Sequence, residues 1–126
     1  MESTYIIPID PKTKKNSQQI ITIKGRPMII PSSAYKKYEK EALRHIIMMP
    51  FEKPIDYPVE VSCIFFMGTR RRVDLNNLLE CATDILVKAG VLADDNSNIV
   101  VSHDGSRVFY DKEHPRTEIY IHEVEV

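Results

Sequence analysis

Apolar positions recur at helical spacing twice along the chain. The first set is Tyr35, Tyr38, Ala42, Leu43, Ile46 and Ile47, which fall on one helical face. Pro31-Ser32-Ser33 precedes it as a helix start with serine as the cap, and Pro50 and Pro54 end it. The second set is Leu75, Leu78, Leu79, Ala82, Leu86 and Ala89, predicting a helix over 75–89 closed by Gly90. Asn76, Asn77, Glu80, Thr83 and Asp84 lie on its opposite side. Between the helices, 59–67 is rich in β-branched and aromatic residues and predicts a strand. Alternation through Glu118-Ile119-Tyr120-Ile121 predicts a last strand over 116–124. Residues 4–9 read as a first strand, with Pro8 marking an edge or an end. Segments 20–23 and 28–30 flank Lys24-Gly25-Arg26 and predict a hairpin with glycine in the turn. Residues 99–110 contain a further strand, bent near Gly105.

The order is therefore β-ββ-α-β-α-β-β, an α+β fold with a mixed β-sheet and two main helices in a single domain over 1–126. With 43% hydrophobic residues the chain can close one core. No apolar run approaches the roughly 20 residues that a membrane helix needs. The first residues, Met-Glu-Ser-Thr-Tyr, lack the basic start and apolar stretch of a signal peptide. A cytoplasmic address and no membrane partner are the expectations. Cys63 and Cys81 fall in regular elements and are expected to pack as small apolar groups. The formal net charge is −1, so any affinity for nucleic acid must come from a local basic patch. Lys12, Lys14 and Lys15 offer one candidate, and Arg70, Arg71 and Arg72 another.

The densest polar stretch runs Arg70-Arg71-Arg72-Val73-Asp74-Leu75-Asn76-Asn77, then Glu80 and Asp84, then Asp94-Asp95-Asn96. Carboxylates beside arginines suit phosphodiester hydrolysis. Oxygen ligands hold Mg²⁺, the metal activates water, and guanidinium groups match phosphate oxygens. Asp74 also has a bland reading as the cap of the second helix, and one carboxylate oxygen can serve each role. Asp94-Asp95-Asn96-Ser97 has the composition of a solvated turn. The four histidines show no zinc spacing, and Ile99 stands where a calcium-binding loop of the EF-hand kind needs glycine.

This stretch resembles the RusA family of Holliday-junction resolvases. The resemblance rests on Arg72-Val73-Asp74-Leu75-Asn76-Asn77, Asp84-Ile85-Leu86, Gly90 and Asp94-Asp95. Pro115-Arg116-Thr117-Glu118-Ile119 matches the family's last strand more weakly, and Lys14-Lys15-Asn16 its basic N-terminal loop. The resemblance implies a homodimer that nicks four-way DNA junctions in recombination and repair, often in a phage or prophage setting. It implies Mg²⁺, for which Mn²⁺ can substitute, with Asp74 and Asp95 catalytic. The implied metal set is Asp74, Asn76 and Asp95, with Glu80 added because it stands four residues after Asn76. Lys14, Lys15, Arg70, Arg71 and Arg72 are the implied DNA-backbone contacts. Two departures are plain: position 76 is Asn where the family carries Asp, and Glu80 stands where the family commonly has lysine. Either Glu80 restores the charge missing at 76, or the pair marks a catalytically weakened or inactive branched-DNA-binding module. An unrelated assembly protein with a merely solvated acidic helix is the third reading.

Overall fold

The computed structural model describes residues 2–14, 18–51 and 53–125. In chain order the elements are β1 (Glu2–Ile7), β2 (Gln18–Ile23), β3 (Arg26–Pro31), α1 (Ser33–Ile47), β4 (Val59–Met67), α2 (Leu75–Lys88), β5 (Val100–Ser102), β6 (Arg107–Tyr110) and β7 (Arg116–Glu123). This is the expected α+β order. β4 is the centre of a mixed sheet: β7 pairs with it antiparallel on one side, and β5 and β6 pair with it parallel on the other. β1 adds antiparallel to the far side of β7. The β2–β3 hairpin is a separate two-stranded sheet.

One face of the main sheet is apolar and carries both helices. Alternate residues Val59, Val61, Cys63 and Phe65 of β4 point into the core, as do Ile119 and Ile121 of β7 and Tyr5 and Ile7 of β1. Against them pack Tyr35, Tyr38, Ala42 and Ile46 of α1 and Leu78, Ala82, Ile85 and Leu86 of α2. Each such large apolar side chain contributes roughly 1.5–3 kcal/mol on burial. Both cysteines are free and buried, and burial pushes the Cys63 thiol up to about 12. Among the described residues no helix is long and apolar enough to cross a membrane.

The differences from the sequence reading are local. β1 ends at Ile7, because Pro8 has no N–H and Ile9 N–H turns back to the Ile7 carbonyl (2.9 Å). The segment expected as one bent strand is two short ones. Between them the chain turns at Gly105 (φ +86°), and side chains take over the ladder: Ser106 Oγ accepts from Cys63 N–H (3.0 Å), and His103 Nδ1 meets the Val61 carbonyl (2.8 Å). β4 stops at Met67, so Arg70, Arg71 and Arg72 lie beyond it. The Gly68 N–H donates to Asp10 Oδ1 (2.8 Å), and a Cβ at Gly68 would stand 3.2 Å from that carboxylate. This tether closes the strand and launches the arginines into an irregular run before α2. In the hairpin, Lys24 (φ +50°) and Gly25 (φ +78°) form the two-residue turn.

Candidate functional site

α2 begins at Asp74. Its carboxylate accepts from the Asn76 N–H (3.0 Å), so the capping role is filled by Oδ1 and the second oxygen is left over. From there Asn77, Glu80, Cys81 and Asp84 follow at helical spacing and form one wall of a groove of about 150 Å³. The opposite wall is Asp95, and Lys14 completes the lining. Asp95 reaches this position because the chain reverses after α2. Ala89 caps the helix, Gly90 takes φ +84°, and Val91 and Leu92 are buried. Ile55 then holds the returning segment through Ile55 N–H to the Val91 carbonyl (2.8 Å) and Ala93 N–H to the Ile55 carbonyl (2.9 Å). The loop that follows is braced from within. Asp94 Oδ1 accepts from Asp95 N–H (2.7 Å), and Asn96 Oδ1 accepts from Asn98 N–H (2.9 Å). Asp94 and Asn96 thus hold the turn and leave the exposed Asp95 side chain to the groove.

Lys14 enters from the loop after β1. Its backbone N–H points at Cys81 Sγ (3.5 Å), and its Nζ donates to Asp84 Oδ2 (3.0 Å). Lys88 stands 3.4 Å from the same Asp84 oxygen and donates to Glu39 Oε2 (2.9 Å). Burial pushes the Asp84 carboxyl up, but Lys14 and Lys88 together outweigh it and hold the group below the ordinary carboxylate range. Asp84 is therefore a lysine anchor, whereas Glu80 and Asp95 are exposed and in no ion pair among the described residues.

Asp74 opens on a neighbouring hollow with Arg72 and Asn77, and Asn77 is common to the hollow and the groove. Asn76 is exposed and lines neither. The structure thus brings Asp95, Glu80 and Lys14 together, sets Asp74 next door, and leaves Asn76 outside. Lys15 lies outside the described residues. Asn77 was legible only as the polar side of the helix. Its spacing from Glu80 and Asp84, three and seven residues, was the signal that it belongs to their row. Cys81 gave no such signal, since its place on the apolar margin reads as core.

The groove's open donors are the carboxylates of Glu80 and Asp95 and the amide of Asn77. Such hard oxygen ligands fit Mg²⁺ or Mn²⁺ chemically. Among the described residues no three histidine, cysteine or acidic groups converge closely enough to form a cage. Mg²⁺ does not need one: it keeps several waters and is held through one or two carboxylates plus substrate phosphate. The donor set fits that mode.

Fold and groove together define a small α+β protein with an acidic cleft along one helix and arginines at that helix's N-terminus. A family model described as Endodeoxyribonuclease RusA matches residues 8–122, and the chain belongs to the RusA family. A stretch of 42 residues is 38% identical to the crossover junction endodeoxyribonuclease RusA of Aquifex aeolicus (strain VF5), covering 33% of each protein. The similarity thus spans about a third of that curated relative's length.

Proposed function

We propose that the chain is a metal-dependent DNA endonuclease that resolves four-way junctions by paired nicks as a homodimer. The observation that carries this reading is the acidic groove of Glu80, Asp84 and Asp95, separated only by Asn77 and Asp74 from three arginines without ion partners among the described residues. Membership of the RusA family supports the nuclease class and branched DNA as the substrate. Asp95, Glu80 and the free oxygen of Asp74 would hold Mg²⁺ or Mn²⁺. When bound, that ion lowers the pKa of water and neutralises phosphate charge. Asn77 orients from between the two hollows. Lys14, fixed by Asp84, puts a positive charge on the groove wall where a phosphate oxygen needs one. Arg71 and Arg72 hold the backbone on the far side of Asp74. Glu80 supplies the negative charge that Asn76 lacks, and does so from inside the groove.

A labelled four-way junction, incubated with the protein in Mg²⁺ and separately in EDTA, tests the reading. Symmetric nicks in Mg²⁺ only, with linear duplex of the same sequence left intact, are expected. Binding of the junction with no nicking in Mg²⁺ or Mn²⁺ would support the second reading, a branched-DNA-binding module that does not cleave. The amide at Asn76, where the family carries a carboxylate, favours that alternative.

A further inference from the structure

The sheet edge beside the arginines carries a feature that the chemistry of the groove leaves unexplained. All four residues of β6 are exposed, with Phe109 at 49% and Tyr110 at 39%. Among the described residues β6 pairs with β4 alone, so its outer edge is open. Exposed aromatic groups on an open edge strand are an association hazard unless something occupies them. Here they are braced and charged. The Arg70 guanidinium lies 4.2 Å from the Tyr110 ring centroid. Phe109 stacks on Phe66 (centroids 5.6 Å apart, planes 26°), and Arg116 covers the other side of that pair, 3.8 Å from the Phe66 centroid.

The arginines differ in what they have left to offer. Arg116 is spent on Glu118 (2.7 Å) and Asp111 (3.1 Å), so it stiffens the edge. Arg70, Arg71 and Arg72 are exposed and form no ion pair among the described residues. All three line one open hollow with Val108, Phe109 and Tyr110, and Arg72 also lines the hollow of Asp74. A continuous surface therefore runs from the acidic groove, across three uncompensated cations, to an aromatic face. Free guanidinium groups next to an exposed ring match a phosphodiester backbone with a base beside it. Bases inside a duplex are already stacked and do not present a face. The strand edge of a second copy would bring the same unpaired arginines against these, which like-charge repulsion opposes.

Resting on the nuclease reading above, we propose that Tyr110, with Arg70 over its ring and Val108 and Phe109 beside it, is a stacking platform for an unpaired nucleobase of branched or single-stranded DNA. It holds a base splayed out at the branch point while Arg71 and Arg72 hold the phosphates leading to the groove.

Fluorescence anisotropy with a labelled oligothymidine, a duplex of equal length and a four-way junction tests this on the full chain. Tyr110→Ala should weaken oligothymidine binding about tenfold, as loss of one base–aromatic stack does, and leave duplex binding nearly unchanged. Tyr110→Phe should restore it, and a 2-aminopurine at the unpaired position should be quenched by wild type and Tyr110→Phe only. Equal loss on single strand and duplex, or no loss on either, overturns the platform. So does a Tyr110→Ala protein that binds every DNA as wild type does but sediments as a smaller species, since the edge then belongs to a second copy. Wild type that binds junction and duplex but is insensitive to Tyr110 refutes the platform alone. Wild type that binds no DNA refutes the nuclease reading with it.

Discussion

Asp84 carries two lysines and through one of them shapes the groove. Its carboxyl lies below the ordinary range because Lys14 and Lys88 outweigh the effect of burial. A depressed acid contributes stability above its unfolded pKa, about 3.9 for aspartate, and loses it as pH falls through the lower folded value. Asp84→Asn should therefore melt below wild type at neutral pH, and the gap should close as pH drops below about 4, which thermal melts across pH 2–7 will read. The same substitution frees Lys14, so cleavage should fall even at temperatures where the variant is fully folded. Of this network the sequence showed Lys14 as a loop cation and Asp84 as a polar helix position. Their pairing spans seventy residues of chain, and no local pattern reports it. Glu80 was legible as a compensating charge by its spacing from Asn76. That it faces Asn77 and Asp95 instead depends on how α2 is rotated on the sheet. Glu80→Gln should raise the Mg²⁺ concentration needed for half-maximal cleavage, and an unchanged titration would remove Glu80 from the metal set.

At the scale of elements, α2 lines the groove and its two ends frame it. Asp74 is both cap and candidate ligand, and the two roles can be separated. Asparagine caps as well as aspartate does, whereas alanine costs about 1 kcal/mol. Asp74→Asn should thus melt like wild type, and Asp74→Ala roughly 4 °C lower. Both should lose cleavage if the free oxygen holds metal. Retained cleavage in Asp74→Asn would reduce Asp74 to a cap. At the other end, Gly90 with φ +84° and the buried Val91-Leu92 pair turn the chain back along the helix. Helices and strands were read well because each writes its period into the sequence: α2, β4 and β7 lie within a residue of expectation at both ends. The region 99–110 was not, since its break is made by Ser106 and His103 bonding to the backbone of β4. Those side chains look like ordinary loop residues until β4 lies beside them.

On the whole molecule, a net charge of −1 leaves room for a local basic cluster. Lys14 and Lys88 are paired with carboxylates, whereas Arg70, Arg71 and Arg72, in one hollow beside the site, have no ion partner among the described residues. Junction binding should therefore be salt-dependent with a slope of about −0.9 per phosphate contact, and Arg71→Ala should make it shallower by about one unit. The returning loop brings Asp95 as far as Asn77, one turn from Asp74, within one subunit. Mixing Asp74→Asn and Asp95→Asn proteins under subunit exchange should accordingly leave activity absent. Recovered nicking of one strand would mean that each centre is built across a dimer.

The central claim is that the groove between α2 and the returning loop is where phosphodiester bonds are cut. Single-turnover cleavage of a four-way junction in Mg²⁺ by wild type and Asp95→Asn tests it most directly, with junction affinity measured in parallel. Asp95 is exposed and its backbone, not its side chain, braces the loop, so the variant should fold and bind as wild type does. Losing even an outer partner of a metal site costs about 10–100-fold, so the rate should fall by at least about hundredfold with affinity unchanged. Cleavage by Asp95→Asn at the wild-type rate would place the chemistry elsewhere on the molecule.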